Sequence, residues 1–181
     1  MKRLLMSLCL IVSGICVAYP QSPSIASILN ALTASSNVES VAQMLNAAGY
    51  TYRFEVSGYQ AADYVFSKNC TVVHEEYSNG LNFHPNPENA NSSIVVVHVT
   101  IAGVRRIEVN AYSNAEFRKW ISQLKALGYK STSDGGSGNR GRAWEYAAKG
   151  KPDVSIWNDY SNTYVLSISL DKPDFSGMGP W

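Results

Sequence analysis

Cys70, His74 and Glu76 stand at alternate positions in the run Cys70-Thr-Val-Val-His74-Glu75-Glu76. In an extended strand alternate side chains share a face, so thiol, imidazole and carboxylate would point together. Such a set could serve a small hydrolase, with Cys70 as nucleophile and His74 as its base, or could contribute to a metal site. Neither chemistry has a full complement. A zinc site needs three or four converging ligands, whereas His84 falls in a Pro/Asn-rich loop and His98 lies between Val97 and Val99, opposite an apolar stripe. A lone cysteine is more often a small buried apolar residue. Solvated strand residues are therefore the better reading, and no catalytic residue, metal or cofactor is expected.

Other strings are weaker still. Gly136-Ser-Gly138-Asn-Arg140-Gly141 spells GxGxxG, but a dinucleotide site needs that string between a strand and a helix in a parallel unit. Here the alternating run Arg142-Ala-Trp144-Glu-Tyr146 follows it, which reads as a hairpin loop. Glu75 and Glu76 are adjacent and would face opposite sides of a strand, and Asp171 and Asp174 flank Pro173 in a tail, so neither pair is placed for glycosidase chemistry. The aromatic residues offer more. Trp120 falls on an apolar helical stripe, but Trp144, Tyr146, Trp157, Tyr160 and Tyr164 fall in strands or their turns. Rings of this kind build protein-binding surfaces when they cluster outward. Arg140 and Arg142 could touch an anionic ligand from the adjoining loop.

The N-terminus reads as an export signal. Lys2 and Arg3 precede an uncharged apolar stretch from Leu4 to Ala18, after which Tyr19-Pro20-Gln21 breaks the run. A membrane span needs about 20 residues, longer than this stretch. Cys16 could mark a lipoprotein, but Ile15 before it is larger than lipid-attachment sites accept, so cleavage after Ala18 is the reading adopted. No span would then remain.

Cleavage alters the remaining chain. Lys2 and Arg3 are two of 15 basic residues against 14 acidic ones, so the balance turns slightly negative and offers no electrostatic case for nucleic acid. Cys9 and Cys16 leave as well. Cys70 is then alone, and the fold must be held by its core without a disulfide.

The elements that would position these residues repeat. Ile25 to Leu32 reads as a brief helix, and Ser36-Asn37 caps a second at about 38–48 with Val38, Val41, Ala42 and Leu45 on one face. Phe117, Trp120, Ile121 and Leu124 repeat that stripe 79 positions on, and Gly128-Tyr129 repeats Gly49-Tyr50. Each helix stop is followed by about four strand segments, including the alternating run Ile94 to Ile101 and a hairpin through Ala102-Gly103. The pattern specifies an α+β fold of two tandem halves, about 37–112 and 113–170, with helices on one face of a curved antiparallel sheet. This element order resembles the tandem-repeat architecture of the beta-lactamase inhibitor proteins and, less closely, the saddle of TATA-binding-protein-like folds. No site residue is carried across by either likeness. In its signal, its Tyr-Pro-Gln-Ser start and its Asn/Tyr-rich strands the chain is similar to small uncharacterised exported proteins of Bacteroidetes bacteria.

The expectation is one domain at 19–175 after a signal at 1–18, with a mobile tail at 171–181. Its function is expected to be non-enzymatic binding of a protein or cell-envelope component in the periplasm or outside the cell. The ligand would meet an aromatic sheet face or the loops at 82–93 and 134–142. A small hydrolase or metal enzyme built on Cys70, His74 and Glu76 is the alternative. The intact mass of the exported protein is expected to begin at Tyr19; a lipid adduct on Cys16 or a retained N-terminus would overturn the cleavage reading.

Overall fold

Each helix begins at a side chain that caps it. Ser24 Oγ accepts from the Ser27 amide at 3.1 Å ahead of α1 (Ile25–Ala34). Asn37 does the same for Ser40 at 2.8 Å ahead of α2 (Val38–Ala47), and Ser113 for Ala115 at 3.2 Å ahead of α3 (Asn114–Ala126). The ends of α2 and α3 match closely. Gly49 and Gly128 take the left-handed conformation, at φ 86° and 82°, which lets the Tyr50 amide reach back to Leu45 O and the Tyr129 amide to Leu124 O, both at 3.0 Å.

The computed structural model describes residues 22–34, 37–74, 83–89, 91–133, 137–138, 141–158 and 163–171. The expected signal at 1–18 and most of the expected tail, the residues beyond Asp171, lie outside them. The fold is α+β, with the three helices and a large antiparallel sheet. Its strands are β1 (Thr51–Ser57), β2 (Ala61–Lys68), β5 (Ser93–Thr100), β6 (Gly103–Ala111), β7 (Lys130–Ser131), β8 (Ser137–Gly138), β9 (Gly141–Ala147), β10 (Asp153–Asn158) and β11 (Tyr164–Ser169). They run in the order β1-β2-β5-β6-β11-β10-β9-β7, with β8 paired to β9. Strands that precede α3 in the chain fill the first four places, and strands that follow it fill the last four.

Period-two alternation decides the core. Val95 and Val97 of β5, Ile107 and Val109 of β6, Leu166 and Ile168 of β11, and Val154 and Ile156 of β10 all face the helices. Against them pack Ile25, Ile28 and Leu32 of α1, Val41 and Leu45 of α2, and Trp120 and Leu124 of α3, all essentially inaccessible to solvent. The N-terminal end is latched by polar contacts. Trp120 Nε1 donates to Ser22 Oγ at 2.9 Å, the Ser22 hydroxyl donates to the buried Glu116 carboxylate, and the Ile25 amide donates to Gln123 Oε1 at 2.9 Å.

Two bulges adjust the ladder. Arg105 is the extra residue between the His98↔Arg106 and Val99↔Val104 pairs, which keeps Val104 on the helix side. At the sheet edge, Arg53 is the extra residue between Tyr52↔Phe66 and Phe54↔Val65.

The expected loop at 82–93 contains a strand. β3 (Cys70–His74) leaves the main sheet and pairs with β4 (Phe83–Pro87) as a separate two-stranded ribbon. Pro85 and Pro87 argue against a strand in a sheet interior, but proline is tolerated where its missing N–H faces no partner. Asn69, with φ 50°, turns the chain out of the sheet between β2 and β3; asparagine adopts that conformation more readily than most residues. None of the described helices is long and apolar enough to cross a membrane.

Gly128→Ala is expected to destabilise the fold by about 1–2 kcal/mol through backbone strain alone, because open space surrounds the added methyl. Leu124→Ala, at a fully buried position, is expected to remove about 2–5 kcal/mol. Urea unfolding curves check both.

Candidate functional site

The face of the sheet turned away from the helices carries the groups that alternate with the core. In one row across the strands stand Asp63, His98, Arg106 and Ser169; in the next, Val65, Val96, Glu108, Ser167, Ser155 and Glu145; in a third, Ser67, Ile94, Asn110, Val165, Trp157 and Ala143. The β3–β4 ribbon packs over the β2–β5 end of this face, where Cys70 and Val72 close on Val65, Ile94 and Val96. Val65, Ile94 and Val96 therefore sit under a cover. Most of the remainder is polar, charged or aromatic, with Val165 and Ala143 as apolar exceptions.

Beside the ribbon lies the densest charge cluster of the described residues. His98 Nδ1 contacts Asp63 Oδ1, and its Nε2 faces Glu108 Oε2 at 3.5 Å. Arg106 places Nε 3.3 Å from the other Glu108 oxygen and Nη2 3.4 Å from His98 Nδ1. Both His98 Nε2 and Arg106 Nε are enclosed without a hydrogen bond from the described residues. Burial acts to discharge the imidazole, but the carboxylates of Asp63 and Glu108 outweigh it and raise the His98 pKa above the ordinary histidine value. Burial likewise acts to raise Glu108, yet the His98 and Arg106 charges hold its pKa below the usual carboxylate range. His98 and Glu108, which face each other across adjacent strands, are thus each shifted toward the charged form.

The sequence had placed His98 opposite the apolar stripe, and it does lie there. What single-strand reading missed was the company it keeps. The hairpin through Gly103 was recognisable, and counting outward from it brings His98 near Arg106 and Glu108. Asp63 could not have been found this way, because β2 reaches β5 only after the β3–β4 excursion.

The aromatic candidates divide between the two faces. Trp144 and Tyr164 turn to the helix side and meet through Phe117, whose ring centroid lies 4.9 Å from Trp144 and 5.1 Å from Tyr164. Tyr146 is buried in the same core. Of the described members, Trp157 alone occupies the far face, half-buried and opposite Val165. Arg142 is exposed on β9 beside Asn158 of β10. Tyr160 and Arg140 lie outside the described residues. The GxGxxG string falls on antiparallel β8 and β9, with Gly138 paired to Gly141, so no helix N-terminus follows it.

Cys70 is almost fully buried beneath the ribbon, and burial pushes its thiol pKa up. His74 is the last residue of β3, and Glu76 lies outside the described residues. Among the described residues no three His, Cys, Asp or Glu side chains are grouped as a metal would require.

A second matched feature joins the two helix ends. Lys68 donates Nζ to Ala48 O at 2.9 Å with the ammonium 5.8 Å from the Tyr50 ring centre, and Lys151 donates to Leu127 O at 2.6 Å with the ammonium 5.7 Å from the Tyr129 ring centre. Each lysine thus satisfies a carbonyl left open at a helix C-terminus and lies over an aromatic face. The two phenols are anchored as well. Tyr50 OH donates to Ser93 Oγ at 2.8 Å and Tyr129 OH to Pro152 O at 2.8 Å. Burial, with the Asp153 charge, pushes the Tyr129 phenol up to about 12, so it stays a donor at any ordinary pH.

In a chain carrying Cys9→Ser and Cys16→Ser, Cys70 is expected to react with a disulfide reagent far more slowly when folded than in urea. Equal rates in the two states would show that the thiol is open and reactive.

Compared with protein-family models, with curated proteins and with solved structures, the chain finds no match in any of the three.

Proposed function

We propose that this chain is an exported, non-enzymatic binding module of two tandem halves whose ligand, a protein or cell-envelope component, docks on the far face of a curved sheet. Three features support the tandem reading. The strand order runs inward from β1 and from β7 through equivalent places to a central β6–β11 pair. Gly49-Tyr50 and Gly128-Tyr129 end their helices in the same conformation. Lys68 and Lys151, which no local string had flagged, make the same pair of contacts. Antiparallel sheets of this width twist as a matter of course, so two such halves joined edge to edge form a continuous curved surface.

Export is supported from both sides of the predicted cleavage point. The apolar stretch ends at Ala18, and the fold takes hold close behind it, since Ser22 and Ile25 are both fully buried. A leader cut after Ala18 would release a domain whose first anchoring contact among the described residues lies three residues beyond its new N-terminus.

The observation that carries the binding reading is Trp157. It is a large ring left half-buried on the far face, beside the buried Val165 and within the same sheet as the Asp63–Glu108 cluster. A tryptophan in that state loses its remaining hydration when a partner covers it, and such residues dominate the energetics of interfaces. Cys70, the nucleophile of the competing hydrolase reading, is enclosed and its thiolate is disfavoured.

Binding of the purified mature protein to solubilised envelope fractions is the relevant measurement, read as retention on the immobilised protein. Trp157→Ala is expected to weaken it about tenfold or more, while Lys125→Ala, on the exposed side of α3, leaves it unchanged. Loss with the helix variant and retention with Trp157→Ala would place the interface elsewhere.

A further inference from the structure

The charge cluster on the far face is not symmetrical about its histidine. On one side, Nδ1 of His98 is in close contact with the Asp63 carboxylate. On the other, Nε2 faces Glu108 Oε2 at 3.5 Å and makes no hydrogen bond with the described residues. Glu108 itself stands between two cations, with Oε2 toward His98 and Oε1 3.3 Å from Arg106 Nε, a contact that is again an ion pair rather than a hydrogen bond. The carboxylate is shared, and neither partner holds it tightly.

We propose that His98 is a proton-operated switch on this face: charged, it shares Glu108 with Arg106, and neutral, it releases Glu108 to Arg106 alone. The physical argument turns on which proton leaves. The Nδ1 proton is held by close contact with a carboxylate, and the Nε2 proton is not, so Nε2 deprotonates first and passes its proton to water. Its bare lone pair then confronts the Glu108 carboxylate, and two electron-rich groups that face each other in a partly enclosed site repel. Arg106 lies next to Glu108 and offers the nearest compensating donors. The bistable element is the Glu108 side chain, and the trigger is one proton.

Among the described residues, the titratable groups around the imidazole come from the two strands paired with its own. From β2 comes Asp63; from β6 come Arg106 and Glu108; the residues that share the face on β5 itself, Val96 and Thr100, do not titrate. With His98 charged the four ionisable groups sum to zero, and without its proton the cluster carries one net negative charge at the centre of the sheet. Arg106 Nη2, 3.4 Å from Nδ1, opposes the imidazolium, whereas the two carboxylates favour it and together prevail over both Arg106 and burial.

The pH window follows from the two shifted groups. His98 is raised above its ordinary 6.5, so its contribution to stability is complete below 6.5 and is lost as pH rises through the raised value. Glu108 is lowered below its ordinary 4.5, so its contribution is complete above 4.5 and is lost as pH falls through the lowered value. The shared state is therefore most favoured between 4.5 and 6.5.

Long-range proton–nitrogen correlation spectra of the 15N-labelled chain, followed across pH, test this directly. Expected are a His98 midpoint above 6.5, a neutral form that keeps its proton on Nδ1, and a fall of about one pH unit or more in that midpoint for D63N and for E108Q. The urea midpoint of the native chain should decline as pH rises above 6.5, and that of H98Q should not. A native midpoint at or below 6.5, a neutral form protonated on Nε2, or a midpoint that neither D63N nor E108Q moves would each overturn the switch. Because these readings come from the native, D63N and E108Q proteins, a failure of H98Q to fold would not leave the question open.

Discussion

The β6–β11 ladder is the constraint on which the rest of the sheet depends. Six residue pairs, from Tyr164↔Ala111 to Ser169↔Arg106, are the seam between the strands that precede α3 and those that follow it. The ladder continues through the Leu170 amide, which donates to Arg105 O at 2.9 Å. The seam survives because it is dry on the helix side, where Ile107, Val109, Leu166 and Ile168 are fully buried. Backbone hydrogen bonds in such a setting have no water to compete for them, and an unmade one would leave an unsatisfied polar group in the core. The bulge at Arg105 is tolerated at the end of the seam because it keeps Val104 inside, and its freed side chain turns outward to pair with Asp171.

The two faces of this sheet solve different problems. On the helix side, apolar area removed from water supplies the main driving force, and the few polar groups there are individually answered, as Ser22, Glu116 and Trp120 show. On the far side, a ribbon covers the valine-rich end, and the uncovered charges compensate one another. A cluster of this kind is weak evidence for stability, since the desolvation of each ion offsets much of its attraction to the others. Its value lies in the sensitivity that near-balance confers.

Much of the fold was legible because local rules agreed. The helix stops at Gly49 and Gly128, the cap at Asn37, and the alternating strand that runs from Ile94 are all decisions made within a few residues. The ribbon was not legible. Pro85 and Pro87 suggest loop in any local reading, and only the tertiary placement of β3 over Val65 and Val96 makes a strand of that segment. The site fared worse than the fold for the same reason. Tyr146, Trp144 and Tyr164 look alike in sequence to Trp157, but strand parity sends the first three toward Phe117 and the helices and the last one away. Parity can be computed within a strand; which face the helices will cover cannot.

The bulge at Arg53 has a bearing on how the molecule behaves in company. β1 is the outermost strand on its side of the sheet, and its sequence Thr-Tyr-Arg-Phe-Glu-Val-Ser is rich in β-forming residues. A regular edge of that composition would be an invitation to another chain to add a strand. The extra residue breaks the even spacing of donors and acceptors midway along the edge, while Arg53 Nε is tied back to Ser67 Oγ at 2.7 Å. An incoming strand would have to match an irregular register and desolvate a guanidinium that already has a partner. The fold thereby guards itself against runaway sheet growth at the one long edge it leaves bare among its described strands.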